Sequence, residues 1–189
     1  MRDINIRTAV REGLNREHAG DPETCIVEEL CVPGGRARID LVVVNGVLHG
    51  YEFKSDQDTL SRLPEQAFAY AKVFDRLTLV VGERHLCRAV LALPEWWGIR
   101  VAHPVRNRLV FRDLKLSQAN PCVDPVCVAK LLRRDEAMSL LTKLCTVAPS
   151  ERKSRDYLCR ALVDTVELPE LCDLVRKYIR GRQFVATQL

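Results

Sequence analysis

The chain has 189 residues, 47% of them hydrophobic and 29% charged, with a formal net charge of +4. That length holds one domain of usual size plus a small extension, and that apolar content excludes an intrinsically disordered chain. No apolar run reaches the roughly 18 residues that span a bilayer, and the N-terminal Met-Arg-Asp-Ile-Asn-Ile-Arg lacks a hydrophobic secretion signal, so a cytoplasmic protein without a membrane partner is expected.

Ile6, Val10 and Leu14 recur at helical spacing and predict a first helix over residues 4–19. Cys25 to Val32 reads as a strand, Pro33-Gly34-Gly35 as a turn, and Arg36 to Val44 as a second strand. Asn45-Gly46 joins this strand to Val47–Lys54 in a hairpin. A two-residue loop would pair Val44 with Val47 and place Asp40 and Glu52 on opposite faces. A bulged loop with Gly46 left-handed pairs Val44 with Leu48, sets Asp40 opposite Glu52, and leaves Lys54 on the same face. The side-chain pattern favours the bulge, because Ile39, Leu41, Val43, Tyr51 and Phe53 then share a core face.

Further along, helical spacing predicts a helix over 60–74 with Pro64 in its first turn. A buried strand follows over 77–81, then a helix over 85–93, a break at Pro94–Gly98, a strand over 99–102 and a last strand near 108–112. A polar connector at 117–125 leads to helices near 126–145, 154–166 and 169–180. The chain thus divides into an α/β domain over 1–117 and a small basic helical domain over 118–189. The eight cysteines form no CxxC pair and read as reduced thiols.

The hairpin carries the chemistry. Two carboxylates facing each other across a strand pair repel, and a hard divalent cation such as Mg²⁺ or Mn²⁺ relieves that repulsion. Asp40 and Glu52 are therefore candidate metal ligands, and Lys54 a candidate catalytic partner that would position water or stabilise charge on a phosphodiester. The order of elements around Asp40 and Glu52-Phe53-Lys54, followed by Gln66-Ala-Phe-Ala-Tyr70 on the next helix, resembles the PD-(D/E)xK, or restriction-endonuclease-like, nuclease superfamily, in a bacterial and phage branch with a QxxxY-like helix. Ile39 stands where that motif has proline.

The resemblance implies an α/β fold with a restriction-endonuclease-like central mixed sheet flanked by helices, and a C-terminal all-helical extension. It implies Asp40, Glu52 and Lys54 as catalytic residues, Gln66 and Tyr70 as supporting groups, and Glu12 or Glu29 as an upstream acid. The implied function is a Mg²⁺- or Mn²⁺-dependent nuclease hydrolysing phosphodiester bonds in nucleic acid, DNA foremost. The alternative is a non-catalytic nucleic-acid-binding or accessory protein on the same scaffold.

Charge distribution suggests where nucleic acid would lie. Residues 1–117 carry 17 Lys and Arg against 16 Asp and Glu, whereas residues 118–189 carry 12 against 9. Arg152, Lys153 and Arg155, and the run from Arg176 to Arg182, are candidate phosphate contacts, with Arg62 close after the Glu52 strand.

Overall fold

In the computed structural model, residues 3–34, 37–106, 108–146 and 149–187 are described. Gly35 of the predicted turn and Arg36 at the start of the predicted second strand lie outside them. Six strands form one mixed sheet in sequential order: β1 (Cys25–Cys31), β2 (Arg38–Asn45), β3 (Val47–Lys54), β4 (Arg76–Gly82), β5 (Gly98–Val105) and β6 (Arg108–Lys115). The pairs β1–β2, β2–β3 and β5–β6 are antiparallel, whereas β3–β4 and β4–β5 are parallel. A parallel neighbour requires a crossover. These are supplied by α2 (Leu63–Ala71) and by a 3₁₀ turn (Glu83–His85) running into α3 (Leu86–Ala92).

Each sheet face is covered. α1 (Asp3–Glu17) lays Ile6, Val10 and Leu14 against Leu41, Val43, Tyr51, Phe53 and Val80 on one face. The other face meets Leu63, Ala67 and Tyr70 of α2, Ala89 of α3, and the C-terminal helices. Covered on both sides, β4 reads Leu77-Thr-Leu-Val-Val81 with every residue buried, as expected of a parallel strand in the middle of a sheet. Each fully buried leucine there contributes roughly 1.5–3 kcal/mol relative to exposure.

The C-terminal region is helical: α4 (Pro125–Ala129), α5 (Arg134–Leu144), α6 (Arg155–Thr165) and α7 (Leu168–Thr187). Their buried residues, including Val128, Leu140, Leu162 and Val175, belong to the same hydrophobic cluster as Val42, Leu48 and Leu79 of the sheet. The connector before them is held in place, since Asn120 Nδ2 donates to the Ala71 and Phe74 carbonyls and Asp124 caps α4 through the Cys127 N–H. The helix predicted over 126–145 is in fact two. Leu131 and Leu132 are buried in the break between them, and the carbonyls of residues 130 to 132 are taken by Arg155 and Arg182 from later helices. Among the described residues no helix is long and apolar enough to cross a membrane.

Candidate functional site

The hairpin turn has the bulged register. Val44 pairs with Leu48, Asn45 with Val47, and Gly46 takes a φ of +61° that favours glycine. Leu41, Val43, Tyr51 and Phe53 accordingly share the face under α1. Ile39 does not join them. It packs in the opposite cluster, where its Cδ1 lies below Gly50, so the predicted five-residue core face holds four. The departure occurs at Asp40, opposite Glu29 of β1, which stands at the left-handed φ of 56°. There the β2–β3 ladder gives way to a side chain: Asp40 Oδ2 accepts the Phe53 N–H at 2.8 Å.

Asp40, Glu52, Lys54, Arg62 and Gln66 line one cavity of about 450 Å³, with Arg7 and Arg38. Within it the two carboxylates serve different partners. Asp40 Oδ1 accepts from Arg7 at 2.7 Å, and the same guanidinium reaches Glu29 at 3.2 Å. Glu52, which is 1% exposed, accepts from Lys54 Nζ at 2.6 Å and Gln66 Nε2 at 2.7 Å through Oε1, and from the Tyr70 hydroxyl at 3.0 Å through Oε2. The Tyr70 hydroxyl also lies 2.8 Å from the Arg38 carbonyl. Burial, and then the neighbouring Glu52 carboxylate, push its pKa well above the usual phenol range, so Tyr70 is a permanent donor.

The constellation is thus an internally neutralised polar network. Burying carboxylates in this way requires full pairing, and the protein's own cations and donors provide it. Among the described residues no group of three or more His, Cys, Asp or Glu is arranged to hold a metal ion. Glu12 is exposed on α1 and does not line the cavity, while Glu29 pairs with Arg7 and Arg38 outside it.

The basic tail is also largely committed. Arg155 donates to the Leu132 and Lys130 carbonyls, Arg176 pairs with Asp75 and Asp173, Arg180 with Glu23, and Arg182 with Glu136. These arginines tie α4, α5, α6 and α7 to one another and to the sheet domain, so many of their donors are spent within the fold. Lys153 lies 4.1 Å over the Tyr157 ring, and Arg152 and Arg62 stay exposed.

A different element is cationic and uncompensated. The β5–β6 hairpin carries Arg100, Arg106, Arg108, Arg112 and Lys115 against a single acid, Asp113, which Arg100 holds by two hydrogen bonds. Arg106, Arg108, Arg112 and Lys115 form no ion pair among the described residues, and all but Lys115 are exposed. β4 pairs with β5 only as far as Ala102, so His103–Val105 and Arg108–Val110 continue beyond the sheet as a two-stranded ribbon. Comparing the charge of residues 1–117 as a block averaged this feature away. A shorter window over 98–115 exposes it.

The family model for bacteriophage P4 protein cII matches residues 1–188. The chain belongs to that family. It is also similar to protein cII of Enterobacteria phage P4, with 32% identity over 84 residues, which cover 44% of this chain and 31% of that protein. The chain therefore matches less than a third of the length of this relative. No solved structure matches the chain.

Membership of the cII family overturns the PD-(D/E)xK assignment, and with it the metal-dependent nuclease and hydrolase reading that rested on the motif. The physical reason is visible at the site. Asp, Glu-x-Lys spacing on a hairpin is also the pattern of a buried charge network, and here Arg7, Lys54, Gln66 and Tyr70 complete such a network. The phage part of the expectation agrees with the family.

Proposed function

We propose that this protein is a non-catalytic nucleic-acid-binding accessory protein that acts in the cytoplasm and holds duplex DNA against its β5–β6 hairpin. One observation carries the reading: the whole formal net charge of +4 is accounted for by this hairpin. Five of the 29 Lys and Arg and one of the 25 Asp and Glu lie on it, leaving 24 of each elsewhere. A two-stranded ribbon is narrow enough to enter the major groove, roughly 12 Å wide. Arg108 and Arg112 alternate with Val110 and Leu114 along β6, which offers phosphate partners and apolar contacts to thymine methyl groups together. The side chains of Val105, Val110 and Leu114 are about half exposed, as such a surface requires.

The test is a DNA-binding titration with labelled duplex at low salt, with the DNA analysed afterwards for cutting. Wild type and Asp40→Asn are expected to bind equally and to leave the duplex intact, with or without Mg²⁺ or Mn²⁺. Arg108→Ala with Arg112→Ala is expected to weaken binding at least tenfold. Absence of binding at low salt, or full affinity in the double variant, overturns the proposal. Calorimetric titration of Mg²⁺ and Mn²⁺ into wild type and Asp40→Asn examines the cavity separately.

A further inference from the structure

We infer that the groove between α5 and α7 is a docking site for an acidic amphipathic segment of a partner protein. The groove has a volume of about 540 Å³, and its floor is apolar, formed by Leu140, Leu174 and Tyr178. Its rim is cationic. Lys143 leans over the Tyr178 ring at 6.0 Å, Lys177 and Arg133 stand beside it, and none of the three forms an ion pair among the described residues. Among the described residues, the one acid in the lining, Glu136, is already used by the Arg182 guanidinium and the Arg133 N–H. The groove therefore presents uncompensated positive charge around a hydrophobic trough.

Gly181 supplies the space. It lies inside α7, where glycine costs about 1 kcal/mol relative to alanine. A Cβ built there meets nothing within 4 Å, so the missing side chain is not demanded by packing within the fold and its absence keeps the groove open. Charge and shape together select the occupant. A helix-in-groove partner places apolar side chains into a trough and its polar flanks on the rim, and here those flanks must be Asp or Glu. A phosphate backbone would satisfy the rim but leave the apolar floor uncovered. The groove draws on residues apart from the β5–β6 hairpin, so its occupancy is independent of DNA binding.

Fluorescence anisotropy with a labelled amphipathic peptide of Leu, Ala and Glu, and a counterpart with Lys for every Glu, tests the inference. The acidic peptide is expected to bind and the basic one not. Lys143→Glu with Lys177→Glu is expected to weaken binding of the acidic peptide at least tenfold, and Gly181→Trp to block it by filling the groove, while both variants retain wild-type DNA affinity. Circular dichroism melting verifies that each variant folds, and the lysine pair alone decides if Gly181→Trp does not. The inference is overturned by failure of the acidic peptide to bind, by equal binding of the two peptides, or by undiminished binding in the folded variants. Displacement of the acidic peptide by duplex DNA also overturns it, since that would assign the groove to nucleic acid.

Discussion

Glu52 and Lys54 illustrate how a buried charge network imposes costs when opened. Glu52 has a side chain 2% exposed and Lys54 one 9% exposed, so neither has water to fall back on. Glu52→Ala leaves the ammonium without its carboxylate and removes the acceptor for Gln66 and Tyr70, and it is expected to destabilise the fold by about 3–5 kcal/mol in urea denaturation. Lys54→Met added to Glu52→Gln is expected to recover part of what Glu52→Gln alone loses, since the stranded charge is then gone. Equal losses for the single and double variants would refute the network. His49 gives a second residue-scale expectation. Burial, and then the nearby Arg76 and Arg100, pull its pKa down to about 4, while Thr78 Oγ1 lies 2.8 Å from its Nε2. A depressed folded-state pKa contributes stability that is present above the unfolded value near 6.5 and is lost as pH falls through about 4. Thermal melts should therefore show an acid loss of up to about 3 kcal/mol across that window, absent in His49→Gln. The carboxylates held low by hydrogen bonds, Asp21 and Asp156, act below it. At this scale the sequence was partly legible. The period-two pattern and Asn45-Gly46 bring Asp40 and Glu52 to one cavity, but nothing local announces that Arg7, 33 positions before Asp40, will neutralise it.

Between elements, glycine and capping contacts decide what periodicity cannot. Gly50 sits in the middle of β3 because Ile39 crosses beneath it: an added Cβ would lie 2.4 Å from Ile39 Cδ1 and 2.8 Å from Leu77 Cδ2. Gly50→Ala is expected to cost about 1–3 kcal/mol by overpacking, read as a lowered urea midpoint with an unchanged m-value. An unchanged midpoint would show that Ile39 moves freely. The sheet strands were legible in sequence because β2, β3 and β4 are short apolar runs bounded by turn residues. The crossing of Ile39 was not, since a backbone irregularity opposite Glu29 leaves no mark in a hydrophobic pattern. The break between α4 and α5 was hidden for a related reason. Helical spacing runs on through Leu131 and Met138, but the carbonyls left open there find donors in Arg155 and Arg182, more than 20 positions away. Long-range capping of this kind is tertiary information.

Across the whole molecule, charge divides into two populations. Arg155, Arg176, Arg180 and Arg182 of the tail turn inward to carbonyls and carboxylates, so they hold helices together, while Arg106, Arg108 and Arg112 of the β5–β6 hairpin face solvent without acids. Net charge read over residues 1–117 and 118–189 points to the tail because it counts charges without their partners. The two populations respond differently to salt and mutation. Each cation that meets a phosphate releases counterions, so the logarithm of the DNA association constant falls with the logarithm of salt at a slope of about −0.9 per contact. With Arg106, Arg108, Arg112 and Lys115 engaged, the expected slope is roughly −3 to −4, and Arg108→Ala should make it shallower by about 1. Arg176→Ala should leave that slope unaltered and instead lower the melting temperature, because it strands Asp75, whose Oδ2 also accepts the Leu48 N–H at 2.6 Å. A slope that responds to Arg176 and not to Arg108 would move the DNA to the tail, whereas the opposite pattern places it on the ribbon that leaves the sheet beyond Ala102.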